Sequence, residues 1–315
     1  MSKFDIARLF GNISQSLSAR TFGDRIHSAH RTSAVAKKRK RSRTCRVEEL
    51  EPREMLAVTL AEFDAIKTQY SDLNLGEFMD DYHIIEVSRL DGAGENENHF
   101  VFTLKGLEDA IKRANETTQE SIIVVRTSEH YRSIGLDSGN LPIINASADK
   151  PLTIVSYDQE SAENGTAWAQ LRLNGAGSIV VNTANNRSVP AEVVLAGIEI
   201  TGATSSGIQV RGTGDYGHDS TATVTLVDCD IHNNGGTGIY VMSGSANVLN
   251  SVIKQNRNGG IFNGSTYTYY GDTYVRQAST HIVNSLVVEN FRDYGAGLYN
   301  RAGSMTLVNC TFVVY

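Results

Sequence analysis

Tyrosine and carboxylate side chains are concentrated in two segments of the chain, Arg211 to Ala222 and Gly264 to Ser279. Aromatic rings beside carboxylates suit stacking on sugar rings and hydrogen bonding to their hydroxyl groups. Loops on a rigid scaffold are also where binding residues concentrate. Both segments are therefore candidate polysaccharide-binding loops, the alternative being that their tyrosines only pack against the scaffold. The candidate residues are Asp215, Tyr216, His218, Asp219, Tyr267, Tyr269, Tyr270, Asp272 and Tyr274.

Other reactive residue types lack the spacing that their chemistry requires. The segment Gly235 to Gly238 has neither the lysine nor the following helix of a phosphate-binding loop. The three cysteines do not form a disulfide framework. The sequence therefore predicts no cofactor and no metal site. The histidines without metal-ligand spacing are His83, His130, His232 and His281.

The scaffold that positions the two segments is a repeat. Leu226 to Ile231 aligns with Val248 to Ile253 at an offset of 22 residues, and Gly238-Ile239 aligns with Gly260-Ile261 at the same offset. Five copies of this unit are present between Leu195 and the end of the chain. Each copy has apolar runs of two to five residues separated by Asn and Gly, without a helical period. This pattern predicts short strands that stack, coil upon coil, at about 4.8 Å.

Aligned columns predict which side chains fill the interior. Two apolar columns are expected to face inward. Two Asn-rich columns are expected to form structural ladders through stacked amides and left-handed turns. The apolar columns are Leu195, Leu226, Val248, Ile282, Leu307 and Ile200, Ile231, Ile253, Val287, Phe312. The polar columns are Asp228, Asn250, Asn284, Asn309 and Asn234, Asn256, Asn290.

The repeated pattern Ile-x-x-Asn-x-x-x-Gly-Ile resembles the right-handed parallel β-helix of the pectin-lyase-like superfamily. The resemblance covers about Val101 to Tyr315. It implies an all-β solenoid with three short strands in each coil. It also implies two possible activities, which are polysaccharide hydrolysis and polysaccharide elimination.

The residues that these activities need are not evident. Hydrolases of this type place paired Asp residues just before the Gly-Ile strand. The matching positions here are not acidic, being Ser205-Ser206, Gly236-Thr237 and Asn258-Gly259, and Asp293 is the single carboxylate nearby. Lyases of this type combine a Ca²⁺ site with a basic residue, but the candidate bases lack an acidic cluster. These candidate bases are Arg211, Arg257 and Arg276.

The two candidate binding segments interrupt the repeat at equivalent points, each after the strand that follows a Gly-Ile step. One coil separates them, so they should leave the same edge of the solenoid about 10 Å apart. We expect a shallow groove between them that accommodates an extended glycan.

The N-terminal segment is basic, whereas the rest of the chain is acidic. Residues 1–56 contain 13 Lys and Arg against 6 Asp and Glu, with a dense basic run at 37–46. Such a segment could bind nucleic acid, contact an anionic membrane or direct processing. The chain contains no run of 18 apolar residues, so the sequence predicts no membrane span.

A motif directly after the basic run favours processing. Leu50-Glu51-Pro52-Arg53-Glu54-Met55-Leu56 resembles the LEPR-XLL motif found near the start of large surface-associated bacterial proteins, notably of planctomycetes, with Met55 in place of the usual Leu. The resemblance implies an exported, extracellular or cell-surface protein whose residues 1–57 form a disordered sorting segment, and it disfavours nucleic acid as the partner.

Two helices are predicted before the regular coils. Residues 58–80 should contain a short helix with Leu60, Phe63, Ile66 and Tyr70 on one face, followed by a connector. Residues 81–315 should form the solenoid, with a helix at 104–115 covering the open end of its core.

At the other end the last coil stops at Phe312 to Tyr315 without a polar cap, so we expect further coils or domains beyond it. The sequence as a whole predicts an exported β-helix scaffold for adhesion or polysaccharide binding. The alternative is a carbohydrate-active enzyme, either a polysaccharide lyase or a glycoside hydrolase.

Overall fold

The computed structural model describes residues 58–89, 97–136, 139–145, 150–183, 191–212, 222–269, 272–276, 278–292 and 295–313. Within these ranges, the side chains of residues 144, 183, 267–269 and 272–275 are outside the description. The basic N-terminal segment and its motif also lie outside the described residues.

Short parallel strands dominate the architecture and form the three faces of a solenoid. Each strand pairs with the equivalent strand of the coil before and after it, so that a coil passes through sheet A, sheet B and sheet C in turn. Sheet A consists of β1 Tyr82–Ser88, β2 His99–Val101, β3 Glu120–Thr127, β6 Leu152–Asp158, β9 Ala191–Ala196, β12 Ala222–Val227, the second half of β14 Ile239–Leu249, β19 Ala278–Val283 and β22 Gly303–Val308. Sheet B consists of β4 Ser133–Gly135, β7 Leu171–Asn174, β10 Ile198–Thr201, β13 Asp230–His232, β15 Val252–Lys254, β20 Leu286–Val288 and β23 Thr311–Val313. Sheet C consists of β5 Leu141–Asn145, β8 Ile179–Thr183, β11 Ile208–Arg211, the first half of β14, β16 Ile261–Asn263 and β21 Leu298–Asn300. The remaining strands, β17 Ser265–Tyr269 and β18 Asp272–Arg276, pair antiparallel with each other.

The strand register confirms both predicted apolar columns, but their last members, Leu307 and Phe312, are 43% and 37% exposed. Leu226 pairs with Leu195 and with Val248, and Ile231 pairs with Ile200 and with Ile253. All six side chains are at most 1% exposed. Burial of these branched side chains removes apolar area from water along the whole length of the solenoid, which is the main force holding the coils together.

The two Asn-rich columns have different roles. Asn234 Nδ2 donates to Asn256 Oδ1 at 2.9 Å, and Asn256 Nδ2 donates to Asn290 Oδ1 at 3.0 Å, so the predicted amide ladder exists in this column. The left-handed backbone conformation belongs to the residue before each of them, for example Gln255 with φ of 55°.

In the other column, the prediction of an amide ladder was wrong. Asp228, Asn250, Asn284 and Asn309 have φ between 50° and 52°, and they turn the chain from sheet A into sheet B. The amide of Asn250 points away from the column and donates to Asp72 Oδ2 at 2.6 Å. Asn and Asp occur at these sites because their side chains tolerate the left-handed conformation.

The predicted helix that closes the core is α2, Leu104–Ala114, the second helix of the described chain. Thr103 caps its first turn by accepting a hydrogen bond from Gly106 N–H. Leu107, Ala110 and Ile111 are buried in the same core cluster as the first coils, and Leu104 packs against it partly buried. The helix therefore shields the apolar end of the solenoid from water.

The first helix, α1 Leu60–Gln69, covers the outer surface of sheet A instead of an end. Thr59 and Glu62 form a capping box, and Val58 and Phe63 are buried in the position of a hydrophobic staple. Ile66 and Tyr70 are buried as predicted, but Leu60 is 60% exposed. The staple explains this error, since Val58, before the cap, takes the apolar position that Leu60 was expected to fill.

One buried ion-pair network fastens α1 to the solenoid. Arg126 Nη1 lies 2.7 Å from Glu62 Oε1, and Arg126 Nε lies 2.8 Å from Glu86 Oε1. Burial would raise the pKa of the Glu62 carboxyl, but the hydrogen bonds from Arg126 and Thr59 outweigh it and lower that pKa.

A third α-helix within the described residues, α3 Gln159–Asn164, begins after the capping residue Asp158 and is followed by Gly165.

Candidate functional site

Both candidate binding segments leave the solenoid at the corner between sheet C and sheet A. The first connects β11 to β12, and the second connects β16 to β19. In the coil between them this corner has no insertion, because β14 runs continuously from sheet C into sheet A. The prediction that the segments leave the same edge, with one coil between them, is confirmed by this register.

Gly244 makes the continuous corner possible. Its φ is +100°, a conformation that side chains rarely allow, and a Cβ there would lie 2.1 Å from the carbonyl oxygen of Ala222. The corner is therefore tight, and chain added to the neighbouring coils must extend outward from the solenoid.

The structure places the predicted binding residues of these segments unevenly. Asp215, Tyr216, His218 and Asp219, together with Tyr270, lie outside the described residues. The others occupy an antiparallel hairpin formed by β17 and β18. In its backbone register Tyr267 is opposite Tyr274, and Tyr269 is opposite Asp272.

A column of aromatic residues on the outer face of sheet C was missed by the sequence analysis. Tyr240 pairs with Phe262, which pairs with Tyr299 on the next coil. The ring centroids of Tyr240 and Phe262 are 4.9 Å apart, and those of Phe262 and Tyr299 are 5.0 Å apart. The two tyrosine rings are half-buried, whereas Phe262 is 9% exposed. We call these three residues the aromatic column.

Two arginines border the aromatic column. The guanidinium of Arg292 lies 4.8 Å from the ring centre of Phe262 and 4.6 Å from that of Tyr299, which is cation–π geometry. In the coil before Tyr240, Arg211 Nε donates to Gln209 Oε1 at 3.1 Å. The column thus presents aromatic edges together with guanidinium N–H donors.

The amino-terminal edge of sheet C is shaped by glycine. A Cβ at Gly238 would lie 2.8 Å from Asn256 Nδ2 and 2.8 Å from the carbonyl oxygen of Gly260. The first residue of this Gly-Ile step must therefore be glycine while the amide ladder passes beneath it. The residues at the positions of the expected acid pair, such as Thr237 and Asn258, are not acidic, and Asp293 lies outside the described residues.

The candidate bases occupy three different elements. Arg211 is the last residue of β11, Arg257 is exposed in the turn that precedes β16, and Arg276 is the last residue of β18. Within the described ranges, no group of three or more His, Cys, Asp or Glu side chains could hold a metal ion.

A separate charged cluster lies on the outer face of sheet B, around Glu199. Its carboxylate is within 3.0 Å of three basic side chains, which belong to Arg132, Arg172 and His232. Burial would raise the pKa of this carboxyl, but the hydrogen bonds from Arg172 and His232 outweigh it and hold the pKa below its ordinary value. His232 is therefore a hydrogen-bonded residue of this cluster.

A family model described as a right handed beta helix region matches residues 190–273, which include β9 to β17 and most of the coils around the aromatic column. The parallel register of the three sheets agrees with this match. The solenoid is a right-handed parallel β-helix. Such β-helix regions are found in pectin-lyase-like proteins.

No curated protein and no solved structure matches the chain. Among the helices that the structure describes, none has the length and apolar character to cross a membrane.

Proposed function

We propose that this chain is an exported or cell-surface β-helix scaffold that binds polysaccharide across the outer face of sheet C. The aromatic column formed by Tyr240, Phe262 and Tyr299, with Arg292 beside it, carries the proposal. Half-exposed tyrosines supply apolar area together with a hydroxyl group, a combination suited to sugar rings. The guanidinium adds directed N–H donors for hydroxyl or carboxylate oxygens.

The direction of the column supports an extended ligand. Its residues come from three successive coils, so the column runs parallel to the solenoid axis with a residue at each strand spacing of about 4.8 Å. A polymer lying along this axis would meet an aromatic side chain in each of these three coils. Because the column stands on hydrogen-bonded strands above a filled core, little conformational entropy would be lost on binding.

The two candidate binding segments extend the same site. Both leave the carboxyl-terminal edge of sheet C, beside the column. In the hairpin, positions 267, 269, 272 and 274 share one face of the two-stranded ladder, since directly opposed residues and alternate residues lie on the same side. In the backbone register, the candidate positions of the hairpin therefore belong to one side of its ladder.

Export is the second part of the proposal. It is supported by the basic run at 37–46 and by the LEPR-XLL-like segment Leu50 to Leu56. Polysaccharides of cell walls and matrices are the ligands that an exported scaffold would encounter.

A binding experiment with three matched variants tests the proposal. The intact chain and a Tyr240→Ala, Tyr299→Ala variant are applied to a polysaccharide array, and the melting temperature of each is recorded. We expect about 5-fold to 150-fold weaker binding by the variant, from the loss of two aromatic contacts of about 0.5–1.5 kcal/mol each. A second variant, with Tyr216, Tyr269 and Tyr270 replaced by Ala, should also lose binding.

The control is Phe78→Ala, which removes a side chain that is 62% exposed and lies next to the helical segments outside sheet A. It should bind as the intact chain does. Retained binding together with a lower melting temperature in the tyrosine variants would show that these rings only pack. Ultraviolet absorbance from unsaturated products in the same incubations would indicate a lyase instead.

A further inference from the structure

A groove of about 440 Å³ lies at a different corner of the β-helix, where sheet A turns into sheet B in the first coils. It is formed at the carboxyl ends of β1, β3 and β6 and by the short helix α3. Its volume falls in the range of small-molecule sites, which combine apolar walls with a few converging polar groups. No residue of the aromatic column contributes to it.

One wall of the groove is a tyrosine stacked on an arginine. The guanidinium of Arg89 lies 4.4 Å from the ring centre of Tyr131, and 55% of Tyr131 is exposed. A tight turn holds the ring in place, since Tyr131 N–H donates to the carbonyl of Ser128 and Ser128 N–H donates to that of Tyr131, both at 3.2 Å. Among the described residues, no carboxylate forms a salt bridge with Arg89. Arg89 lines the groove, and its guanidinium carries N–H donors.

Helix α3 supplies hydrogen-bond acceptors to the groove. Glu160 and Glu163 on α3 are exposed and line the groove, and Gln159 Nε2 donates to Glu163 Oε1 at 2.9 Å. The described residues place no Lys or Arg in a salt bridge with either glutamate. The lining thus offers both donors and acceptors.

The floor is already hydrogen-bonded and so provides rigidity. Asp158 is 2% exposed and accepts from Ser161 N–H, Ser161 Oγ and Ala169 N–H at 3.2, 2.8 and 3.0 Å. Thr127 Oγ1 donates to the carbonyl oxygen of Ala169 at 2.6 Å. Because these groups have their partners, a ligand would be recognised by the walls.

We propose that this groove is a second carbohydrate site, which binds a neutral mono- or disaccharide independently of the face of sheet C. Sugar hydroxyls both donate and accept, so adjacent hydroxyls can satisfy Arg89 and the two glutamates. The exposed ring of Tyr131 offers an apolar surface for a pyranose face. The excess of carboxylates disfavours a uronate, whose negative charge would face Glu160 and Glu163.

Binding of soluble sugars by the full chain tests this site. The probes are cellobiose, lactose and diacetylchitobiose as neutral disaccharides, digalacturonate as an anion and spermine as a cation. Each is titrated at millimolar concentration in ligand-observed NMR. We expect at least one neutral disaccharide to bind, and Tyr131→Ala to weaken it about tenfold through loss of the ring contact. The melting temperature should not change, because the ring is mostly exposed.

Two further variants distinguish this site from a cation site and from the face of sheet C. A Glu160→Gln, Glu163→Gln variant keeps an acceptor oxygen at each position but removes the charge, so neutral sugar should still bind within a few-fold. Tyr240→Ala should leave disaccharide binding unchanged, even if it abolishes binding of polysaccharide, so either proposal can fail alone.

Three results would overturn the proposal. They are the absence of binding by every neutral disaccharide, neutral binding that Tyr131→Ala does not weaken, and preferential binding of spermine that the double glutamine variant abolishes. The last result would assign the groove to cations.

Discussion

The outer faces of sheet A and sheet C are built from the same repeating strands but meet different surroundings. Over the first coils, the outer face of sheet A carries aliphatic residues such as Val124 and Val155, and α1 packs Phe63 and Ile66 against them. The outer face of sheet C carries the aromatic column and Arg292. Among the described residues, no helix packs against the aromatic column.

This contrast shows how outward-facing residues select a role for a face. Aliphatic side chains gain stability only when removed from water, so sheet A requires a cover. Tyrosine and arginine present apolar surface and polar groups together, so sheet C can face both solvent and a ligand. Substitutions on the two faces are therefore expected to lower the free energy of unfolding by different amounts.

Removal of the cover should have the largest effect. Phe63→Ala is expected to lower the free energy of unfolding by about 3–5 kcal/mol, because it empties a fully buried aromatic site between α1 and sheet A. Tyr299→Ala on sheet C should cost about 1 kcal/mol, since that ring is half-buried. Urea denaturation of both variants gives the comparison. Equal losses would mean that the two faces are equally covered.

The interior beneath both faces should come next. Ile253→Ala is expected to cost about 2–5 kcal/mol through the cavity that it leaves. Ile253 is 0% exposed and pairs with Ile231 and Val287. The neighbouring Val252, half-buried on the outer surface, is the control, and its replacement by Ala should cost less. An unchanged denaturation midpoint for Ile253→Ala would contradict the register of the coils.

The two Asn-rich columns should differ in the same assay. Asn256→Ala leaves Asn234 Nδ2 and its backbone N–H without their shared acceptor in a buried position, which should cost about 1–3 kcal/mol. Asn250→Gly should cost less than about 1 kcal/mol, since glycine adopts its φ of 50° readily. A larger loss at Asn250 would reverse the assignment of ladder and turn.

The charged cluster on sheet B should show a smaller effect that depends on pH. The folded pKa of Glu199 lies below its ordinary value of about 4.3, so its contribution to stability is complete above that value and is lost as pH falls through the folded pKa. Glu199→Gln should therefore be less stable than the native chain at pH 7. The difference should shrink below about pH 4. Denaturation midpoints measured across this range check the sign, and a difference that grows on acidification would refute it.

The N-terminal segment should affect stability least. If residues 1–57 are a sorting segment, protein isolated from the native cell surface should begin beyond Leu56, with the core of the β-helix intact. N-terminal sequencing of the mature protein tests this. Intact Met1 on protein recovered from the cytosol would contradict export.

The coil register could be predicted from the amino-acid sequence because one repeat imposes one set of inward positions. A side chain at Leu226 and one at Val248 must stack if both units wind alike, and the strands do pair in this register. The same reasoning located both insertions at one corner and the capping helix at 104–115. It missed the aromatic column, although each member follows Ile or Leu in a Gly-Ile or Gly-Leu step, because the outward position is not restricted to one residue type and is Gln209 in the preceding coil.

The fold, the apolar columns and the end cap follow from local periodicity repeated along the chain, so residue order was enough to predict them. What lies outside the coils follows from contacts between distant residues. The cover on sheet A and the groove beside Tyr131 each join residues from separate elements. Such contacts depend on how strands stack in space, and the spacing of residues along the chain does not encode them directly.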